Sequence, residues 1–412
     1  MRHVVFVAVL GLAIALALPA RGQTPDPQAL RTEIEQLRKD LDALQKQYGD
    51  RLALLEGKLA QLAEAQAAPP APAPMAVPTG GSKIFNPDIA VIGDVLGAAG
   101  KNPVNGSPAL ELHEAELSFQ AVVDPYARAD FFFTFGPEGA GVEEAYITFP
   151  TLPAGLLMKA GMMRAAFGKV NELHNHVLPW TDRPLVTNNL VGGEDGINLA
   201  GLSVARLIPN PWVFLEATGQ VFYGSSDVFT SSRRRDLAYV GHVRGYQDIT
   251  ESSNLDLGAS YSRGPTVSSA ELAGPDGADQ GRFQTQLYGV DATFRYRPLR
   301  RSIYRSFRGR SELVWSRREQ TNGLQRSFGY YVSGEYQFAR RWFAGIRFDR
   351  SDRADAATTF DTGQSLMLTY WPSEFSQVRA QYRRTRYAQS TTANEFLFQF
   401  QFSIGSHGAH PF

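Results

Sequence analysis

"NEFLFQFQFSIGSHGAHPF", residues 394–412, closes the chain. Phe396, Phe398, Phe400 and Phe402 alternate with Leu397, Gln399, Gln401 and Ser403, so an extended strand here carries aromatics on one face and amides on the other. In a soluble sandwich the aromatic face must lie against a core. In an outer-membrane barrel it faces lipid while the amides face a wet interior. One strand does not decide between these readings, so the rest of the chain must.

From Gly81 onward the texture is period-two alternation. About sixteen candidate strands can be marked, near 89–97, 112–123, 126–135, 142–150, 155–164, 197–208, 212–223, 236–246, 254–263, 283–297, 306–318, 327–339, 341–350, 363–371, 375–387 and 394–404. Most are ~9–11 residues or slightly longer, the length that crosses an outer membrane at a tilt. In "RWFAGIRFD" (341–349), Trp342, Ala344, Ile346 and Phe348 share one face, and Arg341, Phe343, Gly345, Arg347 and Asp349 the other. Tight connections at Asp124-Pro125, 150–154, 209–211, Ala339-Arg340 and 371–374 are interleaved with longer ones at 98–111, 165–196, 224–235, 264–282 and 351–362. Alternation of short turns and long loops is the layout of an even-stranded antiparallel barrel with both ends in the periplasm. The expected fold is therefore an all-β transmembrane barrel of about 16 strands over residues 83–412. Phe412, a terminal aromatic, fits a signal read by outer-membrane assembly machinery.

Upstream the texture differs. Arg2 and His3, the apolar run Val4–Leu18, and then Pro19, Ala20 and Gly22 have the layout of a signal peptide, residues 1–22. Over 28–66, Leu30, Ile34, Leu37, Leu41, Leu44 and Tyr48 step by four and three, and Leu52, Leu55, Leu59 and Leu62 resume the stripe after an extra residue beside Gly49. That spacing predicts an α-helical coiled coil that self-associates in the periplasm. Residues 67–80, "AAPPAPAPMAVPTG", read as a semi-rigid Pro/Ala linker. No later apolar run reaches the ~18 residues a membrane helix needs. The formal net charge of zero argues against nucleic acid as a partner, and the absence of cysteine excludes disulfides and thiolate metal sites.

The alternation also assigns inward faces. Glu114, Glu116, Arg128, Asp130, Glu144, Lys159 and Glu216 come early, and Asp291, Arg295, Arg308, Arg310, Glu312, Glu335, Arg347, Asp349, Arg379 and Arg383 later. Charges at bilayer depth line water or pair with one another. The early set leans acidic and the late set leans to arginine, so opposite walls are expected to carry opposite charge.

The 165–196 connection is too long for an ordinary hairpin and follows the fifth strand. It is expected to fold inward as a constriction, offering Lys169, Glu172, His174, His176, Asp182, Arg183, Glu194 and Asp195, with Trp180 and the prolines as anchors. Among the seven histidines, His174-x-His176 and His407-x-x-His410 are pairs able to offer two imidazoles to a metal, whereas His113 and His242 stand isolated. No Gly-x-Ser-x-Gly elbow, HExxH or P-loop is present, and "GGEDG" (192–196) lacks the strand-to-helix setting of a phosphate loop. The reading is of a non-enzymatic protein without a cofactor.

The layout of coil, linker and porin-length barrel across 28–412 resembles the phosphate-selective porin O and P superfamily of Gram-negative bacteria. That resemblance implies a sixteen-stranded channel that assembles as a homotrimer. The stretches "LHEAELSFQAVVDPYARADFFFTF", "AAFGKVNELHNHVLPWTDRPL" and "FSIGSHGAHPF" also look like proteins labelled zinc-regulated TonB-dependent outer-membrane receptors. A receptor of that type needs a plug inside about 22 strands, more than this length supplies. The expected function is passive diffusion of small hydrophilic solutes or ions through the outer membrane. Two alternatives are a zinc- or phosphate-specific channel or receptor, and a tether from outer membrane to cell wall (peptidoglycan) through the coil.

Overall fold

The computed structural model describes residues 87–405, except 138, 267–282, 322, 357 and 358, together with Lys39. The chain divides into two compact units, Met1–Gly81 and Ser82–Phe412. The signal segment 1–22, the coil 28–66 apart from Lys39, the linker 67–80, His407, His410 and Phe412 all lie outside the described residues.

The second unit is a closed antiparallel barrel of sixteen strands. In chain order they are β1 (Asp88–Lys101), β2 (Glu111–Asp124), β3 (Ala127–Gly136), β4 (Gly139–Leu152), β5 (Leu156–Arg164), β6 (Asn198–Leu207), β7 (Phe214–Tyr223) and β8 (Ala238–Thr250). They continue as β9 (Ser253–Thr266), β10 (Phe283–Tyr296), β11 (Ser306–Gln320), β12 (Gly323–Ala339), β13 (Trp342–Asp352), β14 (Phe360–Ser373), β15 (Ser376–Arg386) and β16 (Thr392–Gly405). Each strand pairs with its neighbours in sequence, and β16 closes on β1 from Ala90 opposite Gly405 to Lys101 opposite Asn394. Closure leaves no sheet edge, so the strand ladders satisfy one another's N–H and C=O groups without water.

Side-chain alternation sorts the strands as the sequence predicts. On β16, Phe396, Phe398, Phe400 and Phe402 point outward, while Gln399 and Gln401 are buried inside. On β13, Trp342, Ile346 and Phe348 face out and Arg347 and Asp349 are buried within. Both ends of the barrel strand set lie at the end of the short turns, which join β2 to β3 at 125–126, β8 to β9 at 251–252, β12 to β13 at 340–341 and β14 to β15 at 374–375. The β10–β11 connection, 297–305, is longer than the others on that side. At the opposite end only two residues separate β3 from β4 and β11 from β12, so long loops do not occupy every position there.

Two ladders are irregular in a way that matters below. Register shifts between Asp94 and Val95 where β1 meets β2, and between Phe132 and Phe133 where β3 meets β4. Each is a β-bulge, in which two residues of one strand oppose a single step of its partner and both can turn to the same side.

Depth in the bilayer sets the cost of an outward charge. Phe398→Arg, mid-strand on β16, is expected to lower barrel stability by about 2–4 kcal/mol, and Ile404→Arg, near the end, by about 0–1 kcal/mol. Equilibrium urea unfolding in lipid vesicles measures both.

Candidate functional site

The segment between β5 and β6, residues 165–197, runs inside the barrel and touches its wall in three places. It first reaches β9–β11: the Gly168 N–H donates to Ser260 Oγ at 2.9 Å and Lys169 Nζ lies 3.2 Å from Asp256. Gly168 has φ +63°, the left-handed region that favours glycine, and a Cβ there would push the Glu312 carboxylate aside.

The chain then crosses to β2 and β4. His174 Nδ1 lies 2.8 Å from Glu116 Oε2 and its Nε2 lies 2.8 Å from Glu144 Oε2. His176 Nδ1 is 3.2 Å from the same Glu116 oxygen. Burial disfavours the His174 imidazolium, but Glu143, Glu116 and Glu144 outweigh it and raise its pKa to about 10. Asn175 bridges Glu114 of β2 and Glu194 of the same loop.

The third contact is with β12–β15. Trp180, 2% exposed, packs edge-on against Tyr331 at 5.1 Å, with the Arg347 guanidinium 5.0 Å from its ring. Asp182 accepts from Arg347 at 2.7 Å, from Arg383 at 2.9 Å and from Gln381. Burial opposes ionisation of Asp182, but the two guanidiniums prevail and hold its pKa down at about 2. Beyond it, the Leu185 N–H donates to Asp349 and Asn189 to Asp361. The apolar side chains between loop and wall, among them Phe167, Leu190, Phe222, Leu287 and Tyr331, form the buried core of the barrel interior.

The crossing strand of loop separates two cavities of about 500 Å³ each, and Leu178 lines both. The one toward the long loops is bordered by Asp94, His113, Asp182, Glu194, Arg353 and Arg383. The one toward the short turns is bordered by His176, Arg295, Arg308, Arg310, Glu335 and Arg379. Arg379 donates to Gln399 at 2.7 Å, and Arg383 also holds Glu395 at 2.6 Å.

Several candidate residues sit apart from these wall contacts, and two strand residues differ from strict alternation. Arg183 lines the cavity toward the long loops and also ties the loop internally, its guanidinium donating to the Val170 and Leu173 carbonyls and to Asn175 Oδ1. Asp195 is exposed and meets Arg164 through its backbone carbonyl. Glu172 is exposed within the lumen. His113 is not isolated: it stands 3.2 Å from Glu194 and 3.7 Å from Asp94, because the β2 bulge turns it inward beside Glu114. The bulge on β4 does the same for Glu143, which strict alternation had placed outside; Arg164 Nη2 holds its Oε1 at 2.6 Å. The wall is also not simply acid against arginine, since Asp256, Asp291 and Glu312 of β9–β11 are buried inside among the later cations.

No family model matches the chain. In fold it is similar to OprB of Pseudomonas putida (12% identity, 77% of this chain and 94% of that one, TM-score 0.54). It is likewise similar to the outer-membrane channel DcaP of Acinetobacter baumannii (12%, 77% and 96%, TM-score 0.50) and to the trimer form of Vibrio cholerae OmpT, an outer-membrane protein (10%, 77% and 100%, TM-score 0.50). The fold is thus that of a porin-like outer-membrane barrel. In sequence the chain is 31% identical over 342 residues to an uncharacterized protein of Aquifex aeolicus (strain VF5), covering 75% of this chain and 71% of that protein. The chain belongs to the family of that protein.

Removing one partner of a buried ion pair leaves the other charge uncompensated. Asp182→Asn is therefore expected to cost about 3 kcal/mol or more and to expose the loop, read as faster cleavage within 165–197 by a soluble protease. Because the folded carboxyl titrates below its unfolded value, its contribution of about 2–3 kcal/mol is present above pH ~4 and is lost as pH falls through about 2. Urea unfolding of wild type and variant across that window checks the sign: their difference should shrink only at the acid end.

Proposed function

We propose that the protein is a passive outer-membrane channel for small hydrophilic solutes or ions, in which the 165–197 loop forms the constriction. The observation that carries this reading is a loop spanning a charged interior with a polar cavity on either side of it. A purely structural barrel has no need of two charge-lined cavities, whereas a diffusion path does. Glu172, His176 and Asp182 of the loop, facing Glu114 and Glu116 on one wall and Arg308, Arg310, Arg347, Arg379 and Arg383 on the other, set the field a solute crosses. A field of that kind favours small polar solutes over apolar ones.

The assembly proposed is a homotrimer in the outer membrane of a Gram-negative bacterium, with residues 28–66 as a periplasmic coil. The fold shared with a protein described in trimer form supports it. Short turns and both ends of the barrel would then face the periplasm, and the long loops the exterior.

Conductance of the full chain in a planar bilayer tests the proposal. Stable steps grouped in threes and rising in proportion to salt are expected, and a silent bilayer from folded protein would sink it. Glu172→Lys is expected to move the zero-current potential in a salt gradient toward anions, while an unchanged potential would remove the loop from the conduction path.

A further inference from the structure

We propose that the pocket between the loop and the β2–β4 wall binds one divalent transition-metal ion through His174, His176, Glu116 and Glu143. Three of these already converge: ligand atoms of Glu116, His174 and His176 all lie within 4.8 Å of one another. The focus is Glu116 Oε2, approached by the two imidazole Nδ1 atoms at 2.8 and 3.2 Å.

A second observation points into the same space. Glu143 Oε2 lies 3.4 Å from His174 Nδ1 and has no hydrogen-bond partner, although the Glu143 side chain is only 6% exposed. Buried carboxylate oxygens rarely go without a close donor, and a metal cation would take the place that the His174 proton holds beside this one. The opposite oxygen is fixed by Arg164, so Oε2 is held in place and aimed inward.

The surroundings match what such an ion requires. His174 Nε2 is 2.8 Å from Glu144 Oε2, and Glu144 Oε1 accepts the Arg164 backbone N–H at 2.7 Å. A ligating histidine is commonly oriented by a carboxylate on its other nitrogen in this way. Two neutral imidazoles and two carboxylates balance a dication, and two nitrogen donors select a zinc-like ion over magnesium or calcium. Binding displaces the His174 Nδ1 proton to solvent. Access is open, because His176 lines the cavity on the short-turn side. Two ligands come from the loop and one each from β2 and β4, so the ion would fasten loop to wall.

The test uses the full-length barrel in detergent, stripped with chelator and titrated with zinc chloride by calorimetry. One ion per chain is expected. Loss of an orienting second-sphere partner already weakens metal sites about 10–100-fold, so His176→Ala and Glu143→Gln should weaken binding at least that much. His113→Ala should leave it unchanged. Absence of saturable binding, unchanged affinity in His176→Ala, or loss in His113→Ala instead would overturn the site. Should the variants fail to fold, cobalt(II) decides on the wild type. Intense visible bands of a four-coordinate ion support the assignment, and the weak spectrum of a solvated octahedral ion overturns it. Conductance of the chelator-treated protein is measured separately, so failure of the metal site and failure of the channel reading remain distinguishable.

Discussion

A chain segment that crosses a polar lumen must find a counter-charge at every wall it meets, and the interior of this barrel is organised around that constraint. Histidines lie where the loop approaches the carboxylates of β2 and β4, and Asp182 lies where it approaches Arg347 and Arg383. The match is local: exchanging the two ends of the crossing would set carboxylate against carboxylate and imidazole against guanidinium. The wall charges that look excessive in a sixteen-stranded barrel are in good part the other halves of these contacts. Breaking one releases a buried charge, so the contacts hold the loop in one position more firmly than apolar packing alone would.

The apolar contacts follow from the same path. Trp180 lies between Tyr331 and Arg347, two positions before Asp182, so one short stretch supplies both the hydrophobic anchor and the ion pairs. Gly168 does the corresponding service at the start of the crossing, where any side chain would meet Glu312. Arg183, buried but turned back on Val170, Leu173 and Asn175, ties the two limbs of the loop together. The result is a rigid partition rather than a lid.

Much of the fold was legible because a strand with lipid on one side and water on the other has to alternate strictly. Phe396 to Phe402 and Trp342 to Phe348 carried that signal, and closure of β16 on β1 follows it. Legibility failed where the alternation itself fails. His113 and Glu143 sit at bulges, and a bulge depends on the register of the neighbouring strand, which a single segment does not carry. The loop contacts lay beyond reach for a related reason. That His174 meets Glu116 and Glu144, or Asp182 meets Arg383, depends on closure having brought together strands far apart in the chain. A pair of histidines two residues apart advertised donor chemistry, but only the bulge on β4 turns Glu143 in beside Glu116 and Glu144.

A closed sheet of sixteen strands is a thin hoop, and the softest deformation of a hoop is to flatten into an ellipse. The loop joins the β2–β4 arc to the β13–β15 arc through charge-assisted bonds at both ends, after a first contact with β9–β11. It therefore works as a strut across the hoop and fixes one diameter against lateral pressure from the membrane. A barrel braced in this way keeps its cross-section as its surroundings change, and the width of its interior becomes a property of the chain alone.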